Sequence, residues 1–397
     1  MLLARVPGSV AIVSPSFHPM IGGVEFYVKG IGAELARLGY DVHVYTPNKV
    51  MGKKIDVDEE VVDGVHVHRL GVWFEVSYRV KLWRGLQRAL ERDAPDIVHV
   101  YSHDSYARPA AKAARKLARP LVITTYGPFE THSDYGAAQS LLFRLYDSYV
   151  TPSLFRGSAL VLARYPEILQ WVRSYGVEDS RARLEPSGIP GGYLAKADGR
   201  RGRDKVGHDG ELILYLGRIS PQKGVQYAVQ AMERVTRRFP RAKLAIVGPD
   251  YIGYSAHLRA LAAKLGVAES VEIMDAVTNS VEEAELLSAC DAFVMPSSFE
   301  GFSQSVMKAM AQSRPVVVTR VGGLPYEIDY GKCGLACEYG DARMLADRLV
   351  SLLESPGLSS EMGENGRRRA EEFTFERLAS RLSLAYESTA DAPVKAA

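Results

Sequence analysis

The sequence predicts an α/β protein built from two Rossmann-like domains, whose mostly parallel sheets face each other across a cleft. Short apolar runs of strand length alternate with amphipathic helical patterns along both halves of the chain. This alternation starts again after a polar, basic stretch near the middle. At 397 residues, the chain is long enough for two domains of roughly 200 residues each.

The first domain is predicted to span residues 1–198. It opens with an apolar strand and a loop containing Gly22 and Gly23, followed by a helical pattern that Gly39 ends. Further strands are predicted over the short apolar segments 42–45, 65–70, 97–101, 121–124 and 160–163. Helical patterns between several of them indicate a sheet that is covered on both faces.

A linker is predicted over residues 199–211, because this segment is basic and contains almost nothing apolar. The strand pattern then resumes in a second domain, residues 212–373, over the segments 212–216, 244–247, 271–274, 292–295 and 316–319. One more amphipathic segment, 374–390, follows after this second sheet should be complete.

Composition is that of an ordinary globular protein, and the net charge of +2 gives no reason to expect nucleic acid as a partner. The N-terminal apolar stretch is too short for a signal peptide, so we expect a cytoplasmic protein. Cys290, Cys333 and Cys337 have no matching His or Cys cluster, which predicts free thiols and no metal site. Asn and Gln are scarce beside Arg and Glu, a bias found in proteins from hot environments.

Residues 292–323 are predicted to form a βαβ unit with Glu300 in the loop after its first strand. Ligands of open parallel sheets bind at this carboxyl edge, where helix N-termini accept anions. In the loop after strand 212–216, Arg218 and Lys223 are five residues apart and Gly224 follows. Taken alone, such a pair is as often two solvated surface charges as it is a binding site. Beside Glu300 it is typical of a diphosphate site.

These residues resemble the retaining glycosyltransferases of the GT-B fold that form family 4, which includes glycogen synthases, sucrose synthases and bacterial mannosyltransferases. The resemblance spans both domains. It rests on five motifs in the same order: Pro19-x-x-Gly22-Gly23-x-Glu25, Gly217-Arg218-x4-Lys223-Gly224, Pro296-x3-Glu300-Gly301-Phe302, Ala309-Met310-Ala311 and Gly322-Gly323. Each motif alone is weak, whereas five in register are specific.

The resemblance implies transfer of a sugar from a nucleotide-diphosphate donor, most often a UDP- or GDP-sugar, to a hydroxyl acceptor. The acceptor stays open between a glycolipid, a polysaccharide and a small sugar. No metal ion or other cofactor is implied. The first domain would bind the acceptor and the second the donor, and the helix 374–390 would return to complete the first domain.

The resemblance also implies residue roles. Glu300, Arg218 and Lys223 would be catalytic, with Glu300 against the donor sugar and the two cations on the distal phosphate. The remaining donor-binding residues would be Gly22, Gly23, Gly301, Phe302, Ser303, Gln304 and Lys308. No carboxylate base or nucleophile is expected, since the departing phosphate would take the proton of the acceptor.

Two positions depart from the family pattern. Tyr126 stands where a His is usual, and it can donate a hydrogen bond but cannot carry a proton's charge near neutrality. His103 or His132 could take its place as an acceptor or sugar contact, although a lone His is more often structural. Lys308 stands where a second glutamate would receive the ribose hydroxyls, and lysine has no acceptor. We expect Lys308 to stay within reach of the nucleotide, with a solvent-facing lysine as the alternative.

Two function classes therefore remain, an active transferase and a related protein that binds nucleotide or sugar without turnover. The intact cations and Glu300 favour the transferase. A dehydrogenase is excluded, because no Gly-x-Gly-x-x-Gly follows the first strand.

A basic segment predicts a helix over residues 79–90, with Leu82, Leu86 and Leu90 at helical spacing beside Trp83. The alternatives are a covered surface helix and transient docking at the inner face of an anionic membrane that carries the acceptor. A second basic set comprises Lys112, Arg115, Lys116 and Arg119.

Overall fold

The computed structural model describes residues 8–20, 22–50, 53–75, 81–129 and 136–390. The chain divides into two compact units. The first comprises Met1–Ser187 with Phe375–Ala397, and the second comprises Gly188–Thr374.

The first unit contains an eight-stranded sheet in the order β12-β11-β10-β9-β1-β2-β6-β5. All neighbours are parallel except β5, which pairs antiparallel with β6. Its strands are β1 (Ser9–Val13), β2 (Asp41–Pro47), β5 (Glu59–Val62), β6 (Val65–Leu70), β9 (Ile97–Tyr101), β10 (Leu121–Thr125), β11 (Leu160–Ala163) and β12 (Ala182–Leu184). Two small hairpins add β3 (Lys49–Val50) with β4 (Lys53–Lys54) and β7 (Val72–Glu75) with β8 (Lys81–Trp83).

Seven helices belong to the described part of this unit. They are α1 (Gly23–Arg37), α2 (Leu86–Asp93), α3 (Ala107–Lys116), α4 (Ala137–Tyr149), α5 (Thr151–Gly157), α6 (Pro166–Ser174) and α15 (Phe375–Ala390). The last helix, α15, lies in this unit and packs against α1, where the Phe375 and Phe26 ring centroids are 5.6 Å apart.

The second unit contains a six-stranded, wholly parallel sheet in the order β15-β14-β13-β16-β17-β18. Its strands are β13 (Leu212–Leu216), β14 (Lys243–Val247), β15 (Val271–Met274), β16 (Ala292–Met295), β17 (Val316–Thr319) and β18 (Gly334–Cys337). Its helices are α7 (Gly199–Val206), α8 (Val225–Arg238), α9 (Tyr254–Lys264), α10 (Ser280–Ala289), α11 (Gln304–Ala311), α12 (Leu324–Glu327), α13 (Ala342–Glu354) and α14 (Pro356–Glu371).

The chain order reverses where β13 lies between β14 and β16, and such reversals are where open α/β sheets bind ligands. Every residue of β16 and β17 is buried, which explains their unbroken apolar sequences. The loops after β13 and β16 therefore leave the same edge of the sheet side by side.

Three sequence-based predictions differ from the structure. Residues 199–206 form α7 rather than a linker, and this helix packs on α10 within the second unit. The chain crosses between the units at residues 187 and 188, not near 198. The helix predicted over residues 79–90 is also wrong, since residues 81–83 are a strand and the helix begins at Leu86.

Within the segment 79–90, Leu82 is exposed whereas Leu86 and Leu90 are buried, so the three leucines do not share an exposed face. The residues before Lys81 in this segment lie outside the described ranges. The three cysteines are free and buried. Among the helices that the structure describes, none has both the length and the apolar character needed to cross a membrane.

Candidate functional site

At the carboxyl edge of the second sheet, the structure brings together Lys223 and Glu300. Lys223 lies in the loop after β13 and Glu300 in the loop after the neighbouring β16. The ammonium donates to Glu300 Oε1 at 2.5 Å, and only 18% and 11% of the two side chains are exposed. Charge is thus concentrated in a largely water-excluded position, where electrostatic interactions are stronger than at the surface.

The loop that carries Glu300 is fixed by its neighbours. Ser297 Oγ donates to Glu300 Oε1 at 2.9 Å, and the Gly323 amide donates to the Glu300 carbonyl at 2.9 Å. Gly322 has φ +52°, and a Cβ at this position would overlap the same carbonyl oxygen. The Gly322-Gly323 motif is therefore needed for the close approach of the two loops.

Lys223 is positioned by a second close approach. Gly224 has φ +67°, and a Cβ there would overlap the carbonyl oxygen of Pro296. The Ser298 amide donates to the Gln222 carbonyl at 2.9 Å, which ties the two loops together. The loop that carries Lys223 and the loop that carries Glu300 are thus fixed to each other through their backbones.

Arg218 lies on the same loop as Lys223 and is exposed. Its carbonyl accepts a hydrogen bond from the Tyr215 hydroxyl at 2.7 Å, which holds its backbone. Among the described residues, its guanidinium makes no ion pair, in contrast to the ammonium of Lys223. Arg218 can therefore offer its planar set of donors to a phosphate.

The helix α11 begins directly after the Glu300 loop. Ser303 is its N-cap, and its Oγ accepts from the Val306 amide at 3.4 Å. Gly301, Phe302 and Gln304 lie around this helix start, and each is partly exposed. A helix N-terminus beside two cations favours bound negative charge.

Glu327 lies against the start of α11, and sequence reasoning did not single it out. It is fully buried in α12, and its Oε1 accepts from the Ser303 amide at 2.5 Å. Burial raises the pKa of Glu327 well above its usual range, and nearby Glu300 acts in the same direction. Its Oε2 has no hydrogen-bond partner among the described residues. The feature of the sequence that could have drawn attention to Glu327 is its place shortly after Gly322-Gly323.

Lys308 is buried on α11 and does not point to solvent. Its ammonium donates to Glu283 Oε1 at 2.7 Å and lies 4.6 Å from the Tyr193 ring centroid. Burial raises the pKa of the Tyr193 hydroxyl, which also hydrogen-bonds Glu283. The lysine therefore has an anionic partner 25 residues earlier in the chain, and its contact with a nucleotide stays a prediction.

In the first unit, Gly22 caps α1 with extended backbone, and Gly23 is its first residue. A Cβ on Gly22 would overlap the carboxylate of Glu25, which folds back over it. The Ser16 hydroxyl donates to this carboxylate. Among the described residues, none beyond its own chain neighbours would lie within 4 Å of a Cβ on Gly23.

Tyr126 follows β10 and is partly exposed. Its hydroxyl accepts from the guanidinium of Arg164 at 3.1 Å, and that guanidinium lies 5.0 Å from the Tyr126 ring centroid. Arg164 is only 1% exposed, although no sequence pattern predicts a buried arginine there. The tyrosine is thus held in one orientation by a buried cation.

His103 has no exposed surface. Its two ring nitrogens lie 3.1 Å from Asp147 Oδ1 and 3.1 Å from Thr125 Oγ1. These contacts use both nitrogens, so a direct substrate contact would require one of them to break. His132 lies outside the described residues.

Two family models match the chain. The model described as "Glycosyl transferases group 1" matches residues 200–369, and the "Glycosyl transferase 4-like domain" matches residues 22–188. The two matches fall on the two units and cover Glu300, Lys223 and Gly22. The chain therefore belongs to the group 1 glycosyltransferases and has the GT-B fold.

Individual relatives agree. The chain is 26% identical to D-inositol 3-phosphate glycosyltransferase of Corynebacterium efficiens, over 96% of this chain and 94% of the relative. It is 25% identical to N-acetyl-alpha-D-glucosaminyl L-malate synthase of Bacillus anthracis, over 93% and 94%. The crystal structure of Anabaena HepE in complex with UDP matches in fold, with TM-score 0.75, 16% identity and coverage of 96% and 100%.

The family and its named relatives make this protein a glycosyltransferase that uses a nucleotide-sugar donor. Binding without turnover is the less favoured alternative. Among the described residues, no three His, Cys, Asp or Glu side chains are grouped so that they could hold a metal ion. The absence of a metal requirement remains a prediction.

Proposed function

We propose that this protein is a retaining glycosyltransferase that transfers a hexose from a UDP- or GDP-sugar to a hydroxyl acceptor, without a metal ion or other cofactor. The observation that carries the proposal is the Lys223–Glu300 pair at the sheet edge, with the exposed guanidinium of Arg218 on the same loop. This combination offers positive charge for a diphosphate and a carboxylate for sugar hydroxyls.

In this proposal Arg218 and Lys223 hold the distal phosphate, and Glu300 accepts hydrogen bonds from the donor sugar. Gly301, Phe302, Ser303 and Gln304 lie against the sugar and diphosphate at the start of α11. Gly22 and Gly23 are the donor-binding residues that the proposal assigns to the first unit. Glu327 is a positioning residue, because it fixes the Ser303 amide and with it the helix start.

The chemistry follows from the charge that develops. Breaking the sugar–phosphate bond builds negative charge on the departing diphosphate, so fixed cations that bind it more strongly in the transition state lower the barrier. Glu300 forms an ion pair with Lys223, and its carboxylate oxygens can accept hydrogen bonds from the hydroxyls of the donor sugar. The departing phosphate then takes the acceptor's proton on the same face of the sugar, and the configuration is retained.

For the acceptor, the names of the two relatives favour a small hydroxylated compound that carries negative charge, inositol 3-phosphate in one and malate in the other. Tyr126, oriented by Arg164, is the proposed acceptor or sugar contact. His103 supports the same loop through Thr125.

A lipid-linked acceptor at the inner face of the membrane is the second candidate. It is favoured by the hairpin of β7 and β8, which exposes Trp73 (72%), Phe74 (59%) and Leu82 (53%). The Arg84 guanidinium lies 5.7 Å from the Trp73 ring centroid, so an aromatic side chain and a cation share this surface. Such a combination suits the boundary of an anionic bilayer.

The test is release of nucleoside diphosphate from a panel of UDP- and GDP-sugars, each with a polyol phosphate, a hydroxy acid or a glycolipid as acceptor. With the active pair in hand, Glu300→Ala and Lys223→Ala should each lower transfer at least about 100-fold, since one preorganised charge contact is worth ~3 kcal/mol in the transition state. Lys264→Ala is the control, because Lys264 is exposed in the same unit and away from the sheet edge.

Circular dichroism should show all three variants folded. Near wild-type transfer by either site variant would remove that residue from the proposal. Proton NMR of the product should show the anomeric configuration of the donor, and an inverted product would refute retention. Unchanged rates after treatment with EDTA are expected, and a loss restored by a divalent ion would refute metal independence.

A further inference from the structure

A groove of about 540 Å³ lies in the first unit, away from the residues proposed for transfer. Its walls come from α3, α5 and the segment before β12, and its floor includes Leu121 and Leu160, which begin β10 and β11. It therefore opens at the amino edge of this sheet. Tyr126 follows the opposite end of β10, about 16 Å away for a five-residue strand.

The groove is strongly basic. Its lining contains one carboxylate, Glu178, and six cationic side chains, namely Arg108, Lys112, Arg115, Arg119, Arg181 and Arg183. The whole chain carries a net charge of only +2, so positive charge is concentrated here while the remainder is net acidic. Such focusing in a concave surface attracts anions.

One wall is a row of cations. Residues 108, 112 and 115 are spaced four and three apart on α3, which places them on one face of the helix. All three are exposed, and none makes an ion pair with a described residue. The row spans about 10 Å along the helix axis, at 1.5 Å per residue.

The facing wall is held rigidly. Arg181 donates to the carbonyls of Arg156 and Ser158, both at 2.9 Å, and so closes the end of α5. Its Nε is buried and has no hydrogen-bond partner among the described residues. Arg183 donates to Ser388 Oγ at 3.2 Å. Arg181 also pairs with Glu178 at 3.6 Å, so the groove combines a fixed and partly neutralised cationic wall with three unpaired cations.

We infer that this groove binds a small phosphate ester with at least two negative charges, at a site separate from the sugar-transfer site. Its volume falls in the range of small-molecule pockets, and an extended polyanion would not need a closed concave surface. Guanidinium groups prefer phosphate because their paired donors match its oxygens. The phosphate could belong to a soluble bisphosphate or to a lipid headgroup.

The test compares two variants on the same helix. Lys112→Ala/Arg115→Ala removes two exposed cations of the groove. Lys116→Ala removes the next lysine along, which does not line the groove and pairs with Glu91 at 2.7 Å. Since all three side chains are exposed, both variants should fold as the wild type does.

In the first arm, fructose 1,6-bisphosphate is titrated by calorimetry in the presence of saturating UDP, so that the cations of the second unit are occupied. In the second arm, the protein is sedimented with vesicles of phosphatidylcholine that either contain or lack phosphatidylinositol 4-phosphate, whose headgroup carries a phosphomonoester. The groove variant should lose at least tenfold in affinity, which corresponds to ~1.4 kcal/mol, while Lys116→Ala should change less than about threefold.

Loss of bisphosphate binding by the groove variant would support a soluble ligand. Loss of binding to the phosphatidylinositol 4-phosphate vesicles alone would support a lipid headgroup. The inference is overturned if the wild type binds neither probe, or if the two variants lose affinity equally.

Discussion

The buried pair of Lys308 and Glu283 should make the second unit sensitive to single substitutions at either position. The two side chains are 9% and 12% exposed, and their charged atoms are 2.7 Å apart. In Lys308→Met, the aliphatic part of the side chain is kept, but the Glu283 carboxylate is left buried without its cation. Lys308→Glu would place two carboxylates together, so it is a poor probe of the nucleotide site.

Removing one partner of a buried ion pair typically costs 3–5 kcal/mol, because the other charge stays desolvated. Tyr193 still hydrogen-bonds Glu283, and a small part of the pair is exposed, so we expect about 3 kcal/mol for Lys308→Met. The double variant Lys308→Met/Glu283→Gln removes both charges. It should recover at least about half of that loss, since a neutral amide is less costly to bury.

The free energy of unfolding should be measured by urea denaturation, with far-UV circular dichroism as the signal. Tryptophan fluorescence is unsuitable here, because Trp73, Trp83 and Trp171 all belong to the first unit. Hydrogen exchange of amides in β16 and β17 would assign the loss to the second unit. A double variant that is no more stable than Lys308→Met would refute the reasoning, because the cost would then come from packing and not from an unpaired charge.

Two further predictions concern the first unit. Burial raises the pKa of Glu185 to about 7 from an ordinary value near 4.5, so its contribution to stability is present below pH 4.5 and is lost as pH rises through 7. The free energy of unfolding of Glu185→Gln should therefore exceed that of the wild type by ~3 kcal/mol at pH 8 and equal it near pH 4.5. Urea denaturation followed by tryptophan fluorescence measures both values, and an equal difference at the two pH values would contradict this. In the β7–β8 hairpin, Trp73→Ser/Phe74→Ser should reduce sedimentation with anionic liposomes at low salt severalfold. The control Leu384→Ser also removes an exposed apolar side chain and should not reduce it. If the wild type does not bind the liposomes, membrane docking is excluded.

Parallel strands could be predicted from the sequence because both of their faces are buried. Runs such as Val316–Thr319 are apolar at every position but the last, and they contrast with the polar loops around them. The importance of the loop glycines could also be predicted, since Gly224 and Gly322 mark places where two backbones approach closely. Each of these signals is contained in a few consecutive residues.

Errors arose where the deciding partner lies far away in the chain. The segment 199–206 is basic and reads as a linker, yet Arg203 pairs with Asp291 and Lys205 with Glu282. Gly202 faces the backbone of Glu285, where a Cβ would overlap a carbonyl oxygen, so its lack of a side chain permits close helix packing. In the segment 79–90, the strand at residues 81–83 exists because β7 pairs with it.

The Lys308 position shows how such a distant partner changes a functional expectation. The resemblance implied loss of a carboxylate that would receive ribose hydroxyls, but the structure has the Glu283 carboxylate 2.7 Å from the Lys308 ammonium. With lysine at position 308, a carboxylate acceptor is therefore still present nearby, on Glu283, but the lysine cation pairs with it. If Glu283 serves the nucleotide, calorimetric titration with UDP should show tighter binding to Lys308→Met than to Lys308→Met/Glu283→Gln, because only the first keeps a carboxylate, which accepts stronger hydrogen bonds than an amide oxygen does. Equal affinities for these two variants and the wild type would show that this pair holds the second unit together and takes no part in donor binding.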